Sequence, residues 1–467
     1  MRLVPHVPLL WLGLLLIVPG MTLAVYDTGA LRLLGVLMLL VWLAVALIDG
    51  LRSRRLLDNV RVEFPELVRS TKGREATLPI SFSNEGDEIQ RMRFGVATSP
   101  WFHFDGEITR WIERLPSGKK LSIDYPLTPL KRGQYFLDSI HLERRSPLGF
   151  WLVRQRHDLT TEFRVYPDLS TERKRLSSLF LMRGNEGSHM VRQVGKGRDF
   201  EQLRDYQPGD DYVDIDWKAT ARRQMPVTRT YQVERTQEVY VIVDHSRLSG
   251  REICIPLDEA SREDWEYMTQ SAGGDQVVTT QLEKFLHCSL ILASVAERQG
   301  DLFGFVSFAD KVDRLIRGRN GKDHYNLVRD ALYTLEPKTV SPDFEQLMIS
   351  LRQRLTRRAL LVMLVDLSDP LTAEQFYDAL PLINKQHLVL VNMVRPEHAF
   401  PLFSVRNAPD SVDEVYQNLA GHLQWQELRD TGNRLRHLGV ELGIPEHEEL
   451  CTETVTQYLN VKKRQLI

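Results

Sequence analysis

Cysteine is scarce in this chain. Cys254, Cys288 and Cys451 are the only three in 467 residues, odd in number and widely spaced. That excludes a disulfide framework and shows no zinc spacing, so a reducing compartment is implied. An excess of charge of either sign is also missing, with 60 basic residues against 62 acidic. Nothing therefore marks a polyanion partner, and nucleic acid is not expected. Catalytic signatures are absent too: no Gly-x-Ser-x-Gly elbow and no His-Glu-x-x-His helix occurs. Gly195-Lys196-Gly197 lacks the earlier glycine of a phosphate loop, that position being Met190. His245 follows Asp244 directly, and strand neighbours point to opposite faces, so a structural or solvent role is expected for it. Cys288 falls in an apolar helical stretch and reads as core.

Charge is missing most completely at the start. Leu3–Tyr26 has no charged side chain apart from a protonatable His6, and Leu33–Ile48 is a second uncharged run between Arg32 and Asp49. A span needs about 20 apolar residues. Residues 1–56 are thus expected to hold two transmembrane helices, about 7–26 and 31–48, with a kink at Pro19-Gly20 that a membrane helix tolerates. The alternative is a cleaved signal peptide ending near Thr22-Leu23-Ala24. Either way Arg52, Arg54 and Arg55 follow the second run, and positive residues stay inside, which puts the soluble part in the cytoplasm.

Residues 57–170 read as a β-sandwich of the immunoglobulin-like kind. Val60–Phe64, Ala76–Ser83, Met92–Ala97, Lys120–Leu127, Gly133–Arg144 and Thr161–Val165 are strand patterns, broken by turn clusters such as Ser83-Asn-Glu-Gly86 and Pro116-Ser-Gly118. Residues 171–236 form a connecting segment. From 237 to 467 the rhythm is that of a doubly wound α/β domain. Val239–Val243, Leu302–Phe308, Ala359–Val365 and His387–Met393 are buried strands. Thr279–Arg298, His324–Leu335, Phe344–Leu355 and Thr372–Ile383 are the helices between them. Residues 250–276 read as an inserted surface loop, and Val412–Arg436 and Glu449–Leu459 as a helical tail.

Residues 195–235 are the most informative. They hold eight basic and eight acidic side chains with aromatics and glycines interleaved. Density and balance of this kind read as a loop ordered by paired charges. Arg204, Arg222 and Arg223 can pair with Asp205, Asp210, Asp211, Asp214 and Asp216. The rest, rich in aromatics and arginine, can present to a partner.

Phe200-Glu201, Leu203-Arg204-Asp205-Tyr206, Pro208-Gly209-Asp210-Asp211, Ile215-Asp216-Trp217, Ala219 and Ala221-Arg222 together resemble the signature of the domain-of-unknown-function 58 family. Arg132–Tyr135 and Ser146–Trp151 match shorter pieces of its pattern, although ordinary turn chemistry is the preferred reading of them. The resemblance implies a bacterial inner-membrane, multi-pass protein with a von Willebrand A-like domain, working beside a MoxR-type AAA+ ATPase in protein assembly, maturation or envelope stress. Such domains bind Mg2+ or Mn2+ through Asp-x-Ser-x-Ser after the first strand, a threonine from a middle loop and a late aspartate. Asp244, Ser246 and Asp366 match. The second serine position is Leu248, Ser249 lies one residue out of register, and the middle-loop residue is Thr339 or Ser341. The implied metal site is degenerate, with Asp244, Ser246, Ser341 and Asp366 as candidate ligands.

The function expected is a non-catalytic adaptor. Its partner surface is expected at Arg204, Tyr206, Asp210, Asp211, Tyr212, Asp216, Trp217 and Arg222. The alternatives are a metal-dependent hydrolase built on Asp244 and Asp366, and a structural envelope protein whose metal site is vestigial.

Overall fold

The computed structural model describes residues 2–25, 29–97, 100–104, 108–182, 194–195, 199–207, 210–232, 237–256, 276–402, 404 and 411–464. It comprises two compact units, Met1–Asp168 with Pro256–Val277, and Leu169–Ile255 with Val278–Ile467.

The first unit opens with strand β1 (Arg2–Pro5) and two antiparallel helices, α1 (Val7–Val25) and α2 (Gly29–Ser53). Glycine lets these helices approach. A Cβ at Gly13 would come within 3.0 Å of the Trp42 ring, and one at Gly20 within 3.0 Å of Leu39. Among the described residues one helical stretch, Leu33–Ser53, is long and apolar enough to cross a membrane, and Val7–Leu23 is a shorter apolar helix. Two spans were expected, about 7–26 and 31–48, the second the shorter. Helix α2 instead runs on through Asp49 because that residue finds partners there. Its Oδ1 accepts from the Leu148 N–H at 3.2 Å, and Ser53 Oγ donates to its carbonyl at 2.5 Å.

The β part of this unit has strands β2 (Val60–Glu63), β3 (Leu67–Thr71), β4 (Ala76–Asn84), β5 (Ile89–Val96), β6 (Phe102–His103), β7 (Thr109–Leu115), β8 (Lys120–Pro129), β9 (Gly133–Arg145) and β10 (Trp151–Tyr166). They make two sheets, β1-β10-β9-β5-β7 with β3 beside β10, and β2-β4-β8-β6. Alternation closes one core between them: Leu78, Ile80 and Phe82 of β4 point in, against Phe94, Ile140, Leu142 and Phe163 of the other sheet. Thr161–Val165 is only the end of a strand that starts at Trp151 and crosses a bulge between Asp158 and Thr161.

Both ends of the helical pair are fixed to this sandwich. Strand β1 runs antiparallel to β10, from Arg2 opposite Arg154 to Pro5 opposite Trp151. The Trp151 indole N–H donates to the Ala46 carbonyl of α2 at 2.8 Å.

The second unit begins with helix α3 (Ser170–Met182) and a small antiparallel sheet. Its strands are β11 (Val194–Gly195), β12 (Asp199–Asp205) and, after helix α4 (Trp217–Arg223), β13 (Val227–Gln232), in the order β11-β13-β12. The expected connecting loop is therefore a folded β-ribbon with a helical insertion. Sequence spacing hid it because its strands are interrupted by the polar stretch that forms α4.

Next come β14 (Glu238–Asp244), β15 (Glu252–Pro256), β16 (Gln276–Thr280), α5 (Gln281–Arg298), β17 (Leu302–Phe308), β18 (Val312–Arg319), α6 (Lys322–Leu332), α7 (Phe344–Arg354), β19 (Leu360–Leu364), α8 (Pro370–Ala379), α9 (Pro381–Asn384), β20 (Leu388–Asn392), α10 (Val412–His437), β21 (Glu441–Gly443) and α11 (Leu450–Lys463). The main sheet has the order β18-β17-β14-β19-β20-β21, parallel except for β18. Val239, Val241 and Val243 face a core shared with α5, α6 and α11, while Tyr240 and Ile242 face one shared with α7, α8 and α10. Helices on both faces explain why these strands read as unbroken apolar runs.

Two expectations need correction here. The inserted loop is rooted in a two-stranded sheet, β15 with β16, and residues 257–275 lie outside the described residues. The helical tail is no appendage: β21 is a strand of the main sheet, and Leu450, Val455 and Tyr458 of α11 are core. Asp301 anchors that helix, with the Tyr458 hydroxyl and Lys462 Nζ both on its Oδ2, the latter at 2.8 Å.

Candidate functional site

Parallel strands end on one edge of the sheet, where ligands of doubly wound folds gather. Asp244 ends β14 there, and Asp366 follows β19. Both are buried. Asp244 Oδ1 accepts from the Ser246 N–H at 2.7 Å and Oδ2 from the Ser246 hydroxyl at 3.0 Å. Asp366 Oδ1 accepts from the Ser368 N–H at 2.8 Å. Its Oδ2 lies 3.4 Å from Arg251 Nη1, which also donates to Ser368 Oγ at 3.1 Å. The Gln281 amide lies beside the same Oδ2 and the Leu248 carbonyl, and with its nitrogen turned to these acceptors it donates to both, at 3.1 and 3.3 Å. All four carboxylate oxygens thus have protein donors.

Burial pushes the Asp244 carboxyl up to about 7, against the lowering effect of the Ser246 bonds, and the nearby Asp366 adds to the rise. At neutral pH a proton is available to neutralise a carboxyl that a bound cation would otherwise balance.

The remaining expected ligands form no hydrogen bond to this pair among the described residues. Ser249 is buried, but its hydroxyl donates to the Ser246 carbonyl at 2.8 Å. The middle loop is tied alongside by Arg247 N–H to the Val340 carbonyl, 3.0 Å, and Lys338 N–H to the His245 carbonyl, 2.8 Å. Thr339 and Ser341 are exposed on it, and neither hydroxyl forms a hydrogen bond among the described residues. No group of three or more His, Cys, Asp or Glu able to hold a metal occurs among the described residues. Asp244, Ser246 and Asp366 are what could ligate a hard cation, with waters completing its shell.

His245 turns away from the pair. Its Nε2 is 2.7 Å from Asp313 Oδ2, and its Nδ1 is 3.3 Å from the Glu336 carbonyl. Burial lowers its pKa against the pull of Asp313. Cys288 is fully buried in the helical core.

Arg251 and Gln281 were not anticipated. Arg251 sits at the start of the segment read as an insertion and Gln281 in the helix read after it, so neither signalled a site. Two cavities of about 210 Å³ flank the strand ends, one beside Arg251, Gln281, Arg395 and Phe400, the other beside Ser368, Tyr377 and Arg434. Each is small for an organic ligand.

The second candidate surface is the β12–β13 ribbon. Arg204 Nη2 donates to Asp210 Oδ1 at 2.5 Å, and Asp210 Oδ2 accepts from the Gln207 N–H at 2.9 Å. Asp216 caps α4 by accepting from Lys218 and Ala219 N–H, both at 3.0 Å, and its other oxygen meets Arg229 Nε at 2.9 Å. Arg223 is 4.0 Å from Asp205. The pairing expected for Arg222 does not form. It is exposed in the last turn of α4 with no carboxylate in ion-pair reach among the described residues, and Arg229 of β13 takes Asp216 instead. Cap geometry decides this, because it aims Asp216 back at the helix start and away from Arg222.

The aromatic positions stand outward on this frame. Tyr212 is 74%, Val213 88% and Trp217 69% exposed. The Tyr206 ring stacks on Tyr212 at 6.1 Å, and their hydrogen bond pushes the Tyr206 phenol up. Asp211 starts the short turn Tyr212–Asp214. Pro208 and Gly209 lie outside the described residues.

Comparison with known proteins follows the same region. The family described as "Protein of unknown function DUF58" matches residues 202–250 and 259–403. Uncharacterized protein YeaD of Bacillus subtilis (strain 168) is 23% identical over 164 residues, 35% of this chain. The match spans 36% of that relative's own length. Among solved structures, an aerotolerance-related membrane protein from Bacteroides fragilis NCTC 9343 aligns at 13% identity and a TM-score of 0.24, over 47% of this chain and 97% of that one. The SpRpn10 VWA domain aligns at 10% and 0.25, over 48% and 95%.

Proposed function

We propose that this chain, whose residues 202–250 and 259–403 match the DUF58 family, is a membrane-anchored, non-catalytic adaptor whose von Willebrand A-like domain engages a MoxR-type AAA+ ATPase. In this reading it is a multi-pass protein of the bacterial inner membrane, with an immunoglobulin-like sandwich and the α/β domain in the cytoplasm. The attachment of β1 and of α2 to one sandwich supports a hairpin that enters and leaves the bilayer on the same side. At 19 residues α1 is about 28 Å long, close to the roughly 30 Å of a hydrocarbon core.

One observation carries the adaptor reading: Tyr212, Val213 and Trp217 are held in solvent by a frame of ion pairs. Exposing such side chains on an ordered scaffold is what an interface anchor requires. The carboxylate edge favours binding over chemistry. Its oxygens are already bonded, Arg251 stands beside Asp366 as a fixed positive charge, and the nearest imidazole is engaged by Asp313. We read it as a metal site whose Mg2+ or Mn2+ has been replaced by an arginine and a proton.

Capture of the ATPase by wild-type chain, with nucleotide present, is the test. Tyr212→Ala or Trp217→Ala is expected to cost on the order of 2 kcal/mol of binding without moving the melting curve. Loss of stability with no loss of capture, or no capture by wild type, would overturn the assignment.

A further inference from the structure

The largest of these cavities lies in the first unit, a cleft of about 500 Å³ in the sandwich beside the segment that leaves helix α2. Leu56, three residues beyond the end of α2, forms one wall, and Ser146 and Pro147 form another. The next residue, Leu148, donates its N–H to Asp49 in the last turns of α2. The cleft therefore opens at the level where α2 stops being apolar.

Its chemistry is cationic. Arg91, Arg144 and Arg145 line it, against a single carboxylate, Glu113, which is 3.6 Å from Arg91. Neither Arg144 nor Arg145 has a carboxylate in ion-pair reach among the described residues. Arg144 is half-buried, and its one hydrogen bond is a long one, 3.4 Å, to the Leu56 carbonyl. Burial lowers its pKa with no anion to oppose the effect. Leaving a guanidinium partly desolvated and unpaired is costly unless an anion arrives.

Two further features shape the cleft. Arg91 has a left-handed backbone, φ 53°, rare for a side chain of this size. The kink leaves both Gln90 and Arg91 facing out between buried Ile89 and Met92, where strict alternation would have buried one of them. Trp111, 46% exposed, adds an indole of the kind that sits at the headgroup level, held by Arg93 at 5.6 Å.

We propose that this cleft binds the phosphate headgroup of an anionic phospholipid, clasped by Arg144 and Arg145 with Arg91 at its rim. Guanidinium groups take phosphate oxygens in paired hydrogen bonds, and a basic pocket beside a membrane helix is placed to receive a headgroup from the adjoining leaflet. The proposal rests on α2 crossing the membrane. A soluble phosphate would share the chemistry but not the location.

The full chain would be placed in nanodiscs of phosphatidylcholine with a minority of phosphatidylglycerol, and the lipids it retains read by native mass spectrometry. Wild type and Arg156→Gln, an exposed arginine on β10, should keep bound phosphatidylglycerol over phosphatidylcholine. Arg144→Gln/Arg145→Gln should lose that preference, by roughly tenfold for each charged contact removed. Arg145→Gln alone changes an exposed side chain, so its partial loss keeps the test valid should the double variant misfold. Millimolar inorganic phosphate should not displace the lipid.

Equal retention of both lipids by wild type, unchanged retention by the arginine variants, or displacement by free phosphate would each overturn the lipid site. Failure of the chain to enter the discs would instead overturn the membrane reading on which it depends.

Discussion

Glu172 is a carboxylate that folding makes hard to protonate. Burial raises its pKa, but the hydrogen bond and charge of His287, with Lys284 adding its own, outweigh that and hold it at about 2, against an ordinary 4.5. A pKa depressed by folding contributes stability in full above the unfolded value, and the contribution is lost as pH falls through 4.5 towards 2. Glu172 is buried, and the contribution is on the order of 3 kcal/mol. Glu172→Gln should be less stable at neutral pH and show a flatter denaturation midpoint across that acidic window. Asp244 has the opposite sign. Its pKa is raised to about 7, so ionising it opposes folding, and stability should decline as pH rises from 3.8 to 7. Asp244→Asn should remove that decline, seen as a urea midpoint that no longer drops as pH rises from 3.8 to 7. Any Mg2+ or Mn2+ binding would need the ionised form and so release a proton. We expect calorimetry at millimolar metal to show no heat, and a proton-linked heat lost in Asp244→Asn would revive the metal site. The thiols divide similarly: Cys288 and Cys451 are buried and Cys254 is partly open. The Cys451 pKa is raised by its hydrogen bond to Cys288 and by burial. A thiol reagent should modify one cysteine quickly and the other two only on unfolding.

At the scale of elements, glycine decides two contacts. Alanine normally stabilises a helix interior relative to glycine by about 1 kcal/mol. Gly421 in α10 should behave oppositely, because a Cβ there would overlap the His398 carbonyl. Gly304 in β17 leaves room for the Tyr240 ring in the same way. Gly421→Ala and Gly304→Ala are each expected to lower stability by about 1–3 kcal/mol in chemical denaturation, the scale of overpacking. The elements that could be read from sequence were those whose pattern matched their burial. The four central strands of the main sheet are covered on both faces, so Val239–Val243 and its fellows are apolar throughout. Edge strand β18 is half solvated and reads Val-Asp-Arg-Leu-Ile-Arg-Gly-Arg, and the first half of β10 carries Arg154, Arg156 and Asp158; neither has an apolar period to find. At the carboxylate edge, Asp244, Ser246 and Asp366 were legible because strand ends fix their place. Arg251 was not, because its role depends on a turn after β14 that returns it to Asp366. The partner of Asp216 was misassigned for a similar reason, since only the folded ribbon brings Arg229 across.

At the scale of the whole molecule, charge predicts orientation. Arg52 is in the last turn of α2 and Arg54 and Arg55 follow it, and such residues resist translocation. A C-terminal reporter active only outside the membrane should give no signal, and strong activity would reverse the topology and remove the proposed ATPase partner from reach.

The β1–β10 pairing also sets an order of events. Arg2–Pro5 finds its partners in Trp151–Arg154, with the helical hairpin and most of the sandwich in between. Pairing at that separation waits on everything it encloses. In the multi-pass reading proposed above, the hairpin enters the bilayer as soon as it is made, but the short strand ahead of it must stay unmatched on the near side until β10 exists. It is the clasp of the first unit, threaded early and fastened late. A lesion that slows completion of β10 would therefore leave an inserted hairpin with its leading strand loose, an open edge beside the membrane available to any other chain seeking a strand partner.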